Sequence, residues 1–144
     1  KQVTTMSNYV DPRREQFDAF KRLPRNEPIM MLNLLCFRQR ADYGDDRKIT
    51  GRQAYEAYGK ESGPIFRRVG GQIIWRGTPQ LMVIGPQSKH WDMIFVARYP
   101  TAAAFLEMIT DPYYQAAVKH RQAAVLDSRL VRMSETDDGA GFAG

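Results

Sequence analysis

The segment Pro28–Phe37, PIMMLNLLCF, constrains the fold more than any other part of the chain. It is almost wholly apolar and shows no helix-type polar face, so it is predicted to form a buried central strand. Its single amide, Asn33, is unusual, because an amide buried without hydrogen-bond partners costs roughly 1–3 kcal/mol. Asn33 is therefore expected either to bond a neighbouring strand or loop, or to reach a wet cavity.

Side chains alternate between the two sides of a strand, which divides this segment into two sets. One set is wholly apolar: Met30, Leu32, Leu34 and Cys36. The other set contains the amide: Met31, Asn33, Leu35 and Phe37. The wholly apolar set suits a core covered by helices. Asn33 is therefore predicted to lie on the opposite side of the sheet, facing a partner sheet and pointing to a cavity.

Helix-start signals divide the rest of the chain. Asp11-Pro12 opens a first helix that Pro24 ends. A Thr-x-x-Gln capping box at Thr50–Gln53 opens a second helix, which Gly70-Gly71 ends and which Pro64 is expected to kink or split. Two further helices are predicted, one from Pro100-Thr101 through Ile109 and one from Asp111-Pro112 to about Ala124.

Strand patterns fill the intervals between these helices. They are predicted at Gln72–Arg76, Gln80–Gly85, Trp91–Tyr99 and Val125–Met133. Apart from the extra N-terminal helix, the order is the βαββαβ of the ferredoxin-like α+β fold, an antiparallel sheet covered by helices on one face. We expect one such domain over residues 9–133, with an N-terminal extension at 1–8 and an acidic C-terminal tail at 134–144.

The face of the sheet away from the helices would carry large apolar side chains, more than a monomer exposes comfortably. Pairing with a second copy about a two-fold axis would cover them. The sequence therefore predicts a homodimer.

Composition narrows the functional classes. The chain has 144 residues with 43% hydrophobic content, and it contains no apolar run near the ~18 residues that a membrane span needs. We expect no membrane association and a cytoplasmic location.

The net charge of +5 is scattered along the chain rather than gathered in one stripe with stacking aromatics, which argues against nucleic acid as a partner. Scattered arginines suit a small anionic ligand or simply a solvated surface.

Several polar residues are candidates for a site. His120 and Arg121 come late in a predicted helix, where His120 either moves a proton or bonds a nearby acid or carbonyl. Asp127 and Arg129 share one side of the last strand, which suits an ion pair or the binding of a polar ligand. The candidate catalytic residues are His120 and Asp127. The candidate ligand-binding residues are Asn33, Tyr58, Trp75, His120, Arg121 and Arg129.

Metal and cofactor signals are weak. His90 and His120 are the only histidines, and Cys36 is the only cysteine. No motif with ligand spacing joins them, so neither a metal nor a cofactor is predicted. Cys36 is expected to pack in the core.

Four stretches in this order resemble the DUF1330 family, a group of unknown function in the dimeric α+β barrel superfamily. They are MLNLLCF, AYEAYGKESGPIFRRVGGQIIWRG, WDMIFVARYP and DPYYQAAVKHRQAAVLDSRL. The resemblance implies a ferredoxin-like protomer whose sheet meets that of its partner, and it implies no established reaction. We expect a homodimer that binds a small organic molecule, anionic or aromatic, in a cavity of the sheet face or dimer interface. A cofactor-free monooxygenase or isomerase and a ligand-free structural dimer are the alternatives.

Overall fold

The computed structural model describes residues 8–139 and 141–143. The helices are α1 (Arg14–Arg22), α2 (Gly51–Arg68), α3 (Ala102–Thr110) and α4 (Pro112–Ala124), with a short 3-10 turn at Gly141–Ala143. The strands are β1 (Ile29–Phe37), β2 (Gln72–Gly77), β3 (Met93–Tyr99) and β4 (Val125–Met133). The predicted N-terminal extension, except residue 8, lies outside the described residues, as do residues 140 and 144 of the predicted tail.

The four strands form one antiparallel sheet in the order β2-β3-β1-β4. The central strand β1 pairs with β3 on one edge and with β4 on the other, so that Leu32 lies between Val96 and Val131. This strand order and the βαββαβ element order confirm the predicted ferredoxin-like α+β fold, and β1 is the predicted central strand.

Asn33 lies on the side of the sheet that the helices cover. Directly opposed residues of an antiparallel sheet share a side, and Asn33 is opposite Phe95 in β3. Phe95 and Leu35 belong to one core cluster with Ile65 of α2. The prediction that Asn33 faces away from the helices was therefore wrong. Leu32, Leu34 and Cys36 occupy the other side, here called the open side.

The predicted strand at Gln80–Gly85 is a loop. β2 ends at Gly77 after a bulge between Ile73 and Trp75, and residues 78–92 leave the sheet. An apolar run forms a strand only where a partner strand is available to it. This segment has none, and its apolar side chains are exposed: Leu81 by 76%, Val83 by 80% and Ile84 by 91%.

Local hydrogen bonds explain where the helices begin. Thr50 Oγ1 accepts from Gln53 N at 3.0 Å and Gln53 Oε1 accepts from Thr50 N at 2.8 Å, so the predicted capping box is confirmed. α2 then runs without a break through Pro64. α1 begins at Arg14, later than predicted, with Arg13 as its N-cap. Asp11 does not cap the helix; its carboxylate accepts a hydrogen bond from Gln122 of α4 at 3.3 Å.

Among the described residues, no helix combines the length and the apolar character that crossing a bilayer requires.

Candidate functional site

A cleft of about 1540 Å³ lies between the helices and the sheet side that they cover. We call it the helix-side cleft. α2 contributes Tyr55 and Tyr58 to its wall, α4 contributes Tyr114, and the sheet contributes Phe95 and Tyr99. Its walls are therefore largely aromatic, which suits a planar or aromatic guest.

The tyrosines of the helix-side cleft form a connected group. The hydroxyls of Tyr58 and Tyr114 are 2.7 Å apart and share a hydrogen bond, and the rings of Tyr55 and Tyr58 lie 5.2 Å apart between centroids. Burial raises the pKa of Tyr55, Tyr58 and Tyr114 above the ordinary phenol value. These tyrosines are consequently neutral phenols at physiological pH, able both to donate and to accept hydrogen bonds.

Asn33 brings an amide into the same cleft. Its Nδ2 donates to the carbonyl oxygen of Met31, two residues earlier on the strand, at 3.1 Å. Its own Oδ1 has no hydrogen-bond partner among the described residues. An amide carbonyl without a partner costs free energy wherever water is also excluded. Asn33 is thus tied to the strand by its nitrogen, and its oxygen is available to accept a hydrogen bond from a ligand in the cleft.

The charges around the helix-side cleft are mostly positive. Among the described residues that line it, Asp11 is the only acid, and its carboxylate already accepts from Gln122. The cationic residues in the lining are Arg13, Arg67, Arg76, Lys119, Arg121, Arg129 and Arg132. A cleft with this balance attracts anions over cations.

Residues 9–13, here called the N-terminal strap, line one edge of the cleft. Arg121 of α4 donates from Nη1 to the carbonyl oxygen of Val10 at 2.6 Å, and Ser128 of β4 donates to that of Tyr9 at 2.8 Å. Arg121 also reaches Ser128 Oγ at 3.4 Å. The predicted ligand-binding residue Arg121 therefore holds the strap between a helix and the edge strand.

His120 lies outside the helix-side cleft, in a smaller surface cavity of about 390 Å³. Its Nδ1 is 2.6 Å from the hydroxyl of Tyr43 and its Nε2 is 2.9 Å from Glu61 Oε2. Burial is the main reason that the pKa of Tyr43 is raised. The hydroxyl, imidazole and carboxylate form a continuous hydrogen-bonded chain, which is an arrangement able to pass a proton.

Asp127 is the centre of an ion cluster. Its side chain is 5% exposed, and it binds Lys89 Nζ and Arg129 Nη1, each at 2.7 Å. It also accepts from the backbone N–H of Tyr9 at 2.9 Å. Burial alone would raise the pKa of Asp127, but the hydrogen bonds from Lys89, Tyr9 and Arg129 outweigh it and hold the pKa below its ordinary value.

The structure divides the predicted site residues into groups. Asn33, Tyr58 and Arg121 meet in the helix-side cleft, which Arg129 borders while its guanidinium bonds Asp127. His120 lies apart with Tyr43 and Glu61. Trp75 pairs with Val96 on the open side and does not line the cleft.

Sequence reasoning missed some residues of both cavities. Tyr55 and Tyr58 are three residues apart and so lie on one face of α2, and Tyr114 follows the helix start at Asp111-Pro112. Tyr55 and Tyr114 could therefore have been found from their spacing in the sequence. Tyr43 and Glu61 carried none. They come from a loop and from α2, and only the tertiary structure brings them to His120.

Known proteins that resemble this chain agree on its fold. The profile of DUF1330, a domain of unknown function, matches residues 45–133. The RPA0582 protein of Rhodopseudomonas palustris, a protein of unknown function, is 52% identical in its methylated crystal structure, where the match covers 94% of this chain and 100% of that one with a TM-score of 0.90. Among curated proteins, none matches significantly.

More distant structures share the fold alone. A dabb family protein with a ferredoxin-like fold from Mesorhizobium loti is 13% identical over 76% of this chain and 98% of that one, with a TM-score of 0.54. SnoaB, a cofactor-independent oxygenase from Streptomyces nogalater, is 10% identical over 77% of this chain and 95% of that one, with a TM-score of 0.51. Since the family profile covers more than half of the chain and a solved relative matches nearly all of it, this protein belongs to the DUF1330 family.

Proposed function

We propose that the protein binds a small anionic organic molecule with an aromatic or planar body in the helix-side cleft. The observation that carries the proposal is Asn33, which lines a cleft of about 1540 Å³ and whose Oδ1 has no partner among the described residues. A ligand hydroxyl or N–H would satisfy that oxygen. Nothing in a purely packed interior requires an amide at this position of a central strand.

The surroundings of Asn33 support this ligand chemistry. Tyr58 and Tyr114 present neutral hydroxyls, and the aromatic rings of the wall offer flat apolar surface. Arg76 is exposed at the cleft with its guanidinium 5.9 Å from the Phe95 ring centroid. An arginine so placed pairs well with a carboxylate or phosphate group. A phenolic or benzoic-type carboxylate would contact the tyrosine hydroxyls, the aromatic wall and Arg76.

Replacing Asn33 with leucine tests the proposal. Asn33→Leu is expected to weaken binding of an aromatic carboxylate about tenfold, because one lost hydrogen bond removes about 1–1.5 kcal/mol. The same variant should remain within about 1 kcal/mol of the wild-type unfolding free energy, since the leucine replaces a half-satisfied amide with apolar surface. A panel of phenolic and aromatic carboxylates, screened by thermal shift and followed by calorimetry, provides the measurement.

Two tyrosine variants serve as a matched pair for that experiment. Tyr58→Phe removes a hydroxyl inside the cleft and should weaken binding, whereas Tyr113→Phe removes one from a side chain that is 76% exposed and lies outside it. Equal binding by wild type, Asn33→Leu and Tyr58→Phe would show that the cleft is not the site. Failure of every compound in the panel would favour the ligand-free structural dimer.

A cofactor-free monooxygenase or isomerase acting on a small aromatic or carbonyl compound is the second candidate. The chain Tyr43–His120–Glu61 favours it, because a histidine held by a phenol and a carboxylate is equipped for proton transfer. The fold is also that of SnoaB, described as a cofactor-independent oxygenase.

Turnover separates the second candidate from the first. A compound that binds should be converted by the wild-type protein but not by His120→Ala, with Asp127→Ala as the other candidate variant. Binding without conversion by the wild type would leave a binding protein.

We further propose that two copies pair through the open side of the sheet. Leu32, Leu34 and Val96 are only half-buried there, and Trp75 at the neighbouring edge is 56% exposed. A contiguous apolar surface on a sheet face is the kind that a second copy covers. Because a two-fold axis brings the same face of both copies together, this surface would be its own partner.

Light scattering of Trp75→Arg tests the pairing. The wild type is expected at twice the chain mass of 16.5 kDa at micromolar concentration, and Trp75→Arg should move the mass toward one chain. A charge buried in an apolar interface without a partner costs several kcal/mol of association free energy. Tyr113→Arg places the same charge on an exposed aromatic position of α4, away from the sheet, and should remain a dimer. A wild-type mass of one chain would refute the pairing.

A further inference from the structure

Cys36, His90 and Asp92 converge on the open side of the sheet, at the end of β1. Their ligand-type atoms all lie within 4.8 Å of one another. Cys36 Sγ is 3.7 Å from His90 Nε2, and the same nitrogen is 3.9 Å from Asp92 Oδ1. One imidazole nitrogen thus faces both a thiol and a carboxylate oxygen, as it would if all three shared a single central ion.

Two of these side chains are held rigidly by the backbone. Asp92 N donates to the Leu35 carbonyl oxygen at 2.6 Å, and Phe37 N donates to Asp92 Oδ2 at 2.8 Å. The carboxylate is therefore fixed by one oxygen, and the other oxygen faces His90. Cys36 is buried within β1, which fixes its thiol. An outer hydrogen bond that orients a carboxylate is typical of metal ligands.

The third side chain is the exposed member of the cluster. The side chain of His90 is 72% exposed and has no further hydrogen-bond partner among the described residues. His90 and Asp92 both come from the 78–92 loop, so the loop supplies two ligands and strand β1 supplies the third. Asp92 already holds the loop against β1, so binding of an ion would fix the remaining ligand, His90, in place.

We propose that Cys36, His90 and Asp92 form a binding site for a zinc-like divalent transition metal. A thiolate, an imidazole and a carboxylate are the ligand types that Zn²⁺ accepts, whereas Mg²⁺ and Ca²⁺ prefer oxygen ligands alone. Tetrahedral zinc separates its ligand atoms by about 3.3–3.7 Å for Zn–N and Zn–S bonds of ~2.0 and ~2.3 Å, close to the observed spacing. Three protein ligands leave the fourth position open beside the exposed histidine, as in catalytic rather than structural zinc sites.

This site is separate from the helix-side cleft, because Cys36 points to the opposite side of the sheet from Asn33. The proposed metal site therefore does not depend on whether the cleft binds the proposed ligand. The arrangement was not visible in the sequence, where His90 and Cys36 are far apart and follow no motif.

Cobalt titration of the purified, reduced protein tests the site. Co²⁺ is expected to give a thiolate-to-metal charge-transfer band in the near ultraviolet that saturates near one equivalent, and Zn²⁺ should displace it. Cys36→Ser should abolish the band. His90→Ala should weaken Zn²⁺ binding by more than the roughly 10- to 100-fold that loss of an outer hydrogen bond to a ligand costs.

His120→Ala is the matched control, because it removes the other histidine and should leave the cobalt band unchanged. Mg²⁺ should neither compete with Co²⁺ nor raise the melting temperature. The absence of the band in the folded wild type would overturn the proposal. So would an undiminished band in Cys36→Ser, or unchanged Zn²⁺ affinity in His90→Ala, with circular dichroism used to confirm that each variant is folded.

Discussion

Gly51→Ala is expected to lower the free energy of unfolding by about 3 kcal/mol, the upper end of the range for overpacking a tight site. A Cβ at this position would collide with the carbonyl oxygen of Arg38 and lie 2.8 Å from that of Ala124. Both atoms belong to the backbone and cannot turn away as a side chain would. Gly51 N also donates to the Arg38 oxygen at 3.1 Å, so the junction between β1, α2 and α4 depends on this close approach.

Gly59→Ala is the control in the same helix. Gly59 is exposed within α2, and a Cβ there meets nothing within 4 Å. Alanine should therefore raise the free energy of unfolding by about 0.5–1 kcal/mol through its better helix propensity. Urea unfolding followed by circular dichroism measures both variants. Equal midpoints for Gly51→Ala and Gly59→Ala would contradict the steric argument.

Asp127→Asn is expected to destabilise the fold at pH 7 by about 3 kcal/mol, the lower end of the range for breaking a buried ion pair. The substitution leaves Lys89 and Arg129 without their shared carboxylate. The lower end applies because those side chains are 21% and 34% exposed and water reaches them. The backbone N–H of Tyr9, which donates to the same carboxylate, would also lose its charged acceptor.

The pH dependence of Asp127 follows from the direction of its shift. Its pKa in the folded state lies below its ordinary value, so the unfolded chain binds a proton first as the pH falls. The stabilisation from this group is complete above the unfolded pKa of about 3.9. It is lost as the pH falls from there through the lower pKa of the folded state.

Unfolding measured between pH 7 and pH 3 should show this directly. The difference between wild type and Asp127→Asn is expected to be constant down to about pH 5 and to shrink below about pH 4. Asp18→Asn, which removes an exposed carboxylate 3.8 Å from Lys21, should change the curve little. A difference that persists undiminished at pH 3 would mean that the ion cluster contributes nothing through its charge.

Much of the fold follows from local signals. The apolar run at 28–37 predicts β1, and the capping box at Thr50–Gln53 predicts the start of α2 within one residue. The side of the sheet on which Asn33 lies could not be predicted from such signals. β1 is apolar on both of its sides, so alternation divides its residues correctly but cannot tell which set the helices cover. Only the packing of the sheet against α2 decides this.

The candidate site could be predicted from the sequence only where its residues are regularly spaced along one helix or strand. Tyr58 belonged to an apolar stripe of α2, and the spacing of Asp127 and Arg129 predicted an ion pair that the structure contains. The partners of His120 come from elsewhere in the chain, as does the contact of Cys36 with His90. Such contacts depend on which loops the sheet brings together, and spacing along the sequence carries no trace of them.

The central position of β1 has a consequence for how the chain folds. The most apolar segment lies near the start of the domain, yet Leu32 pairs with Val96 and with Val131, which is close to the domain's end. Loop-closure entropy makes such distant pairings slow to form. Because β1 comes early in the chain, it is synthesised long before β3 and β4, the two strands that it pairs with. We expect β1 to be the segment on which a chaperone would act, and refolding from denaturant to be slow for a chain of this length.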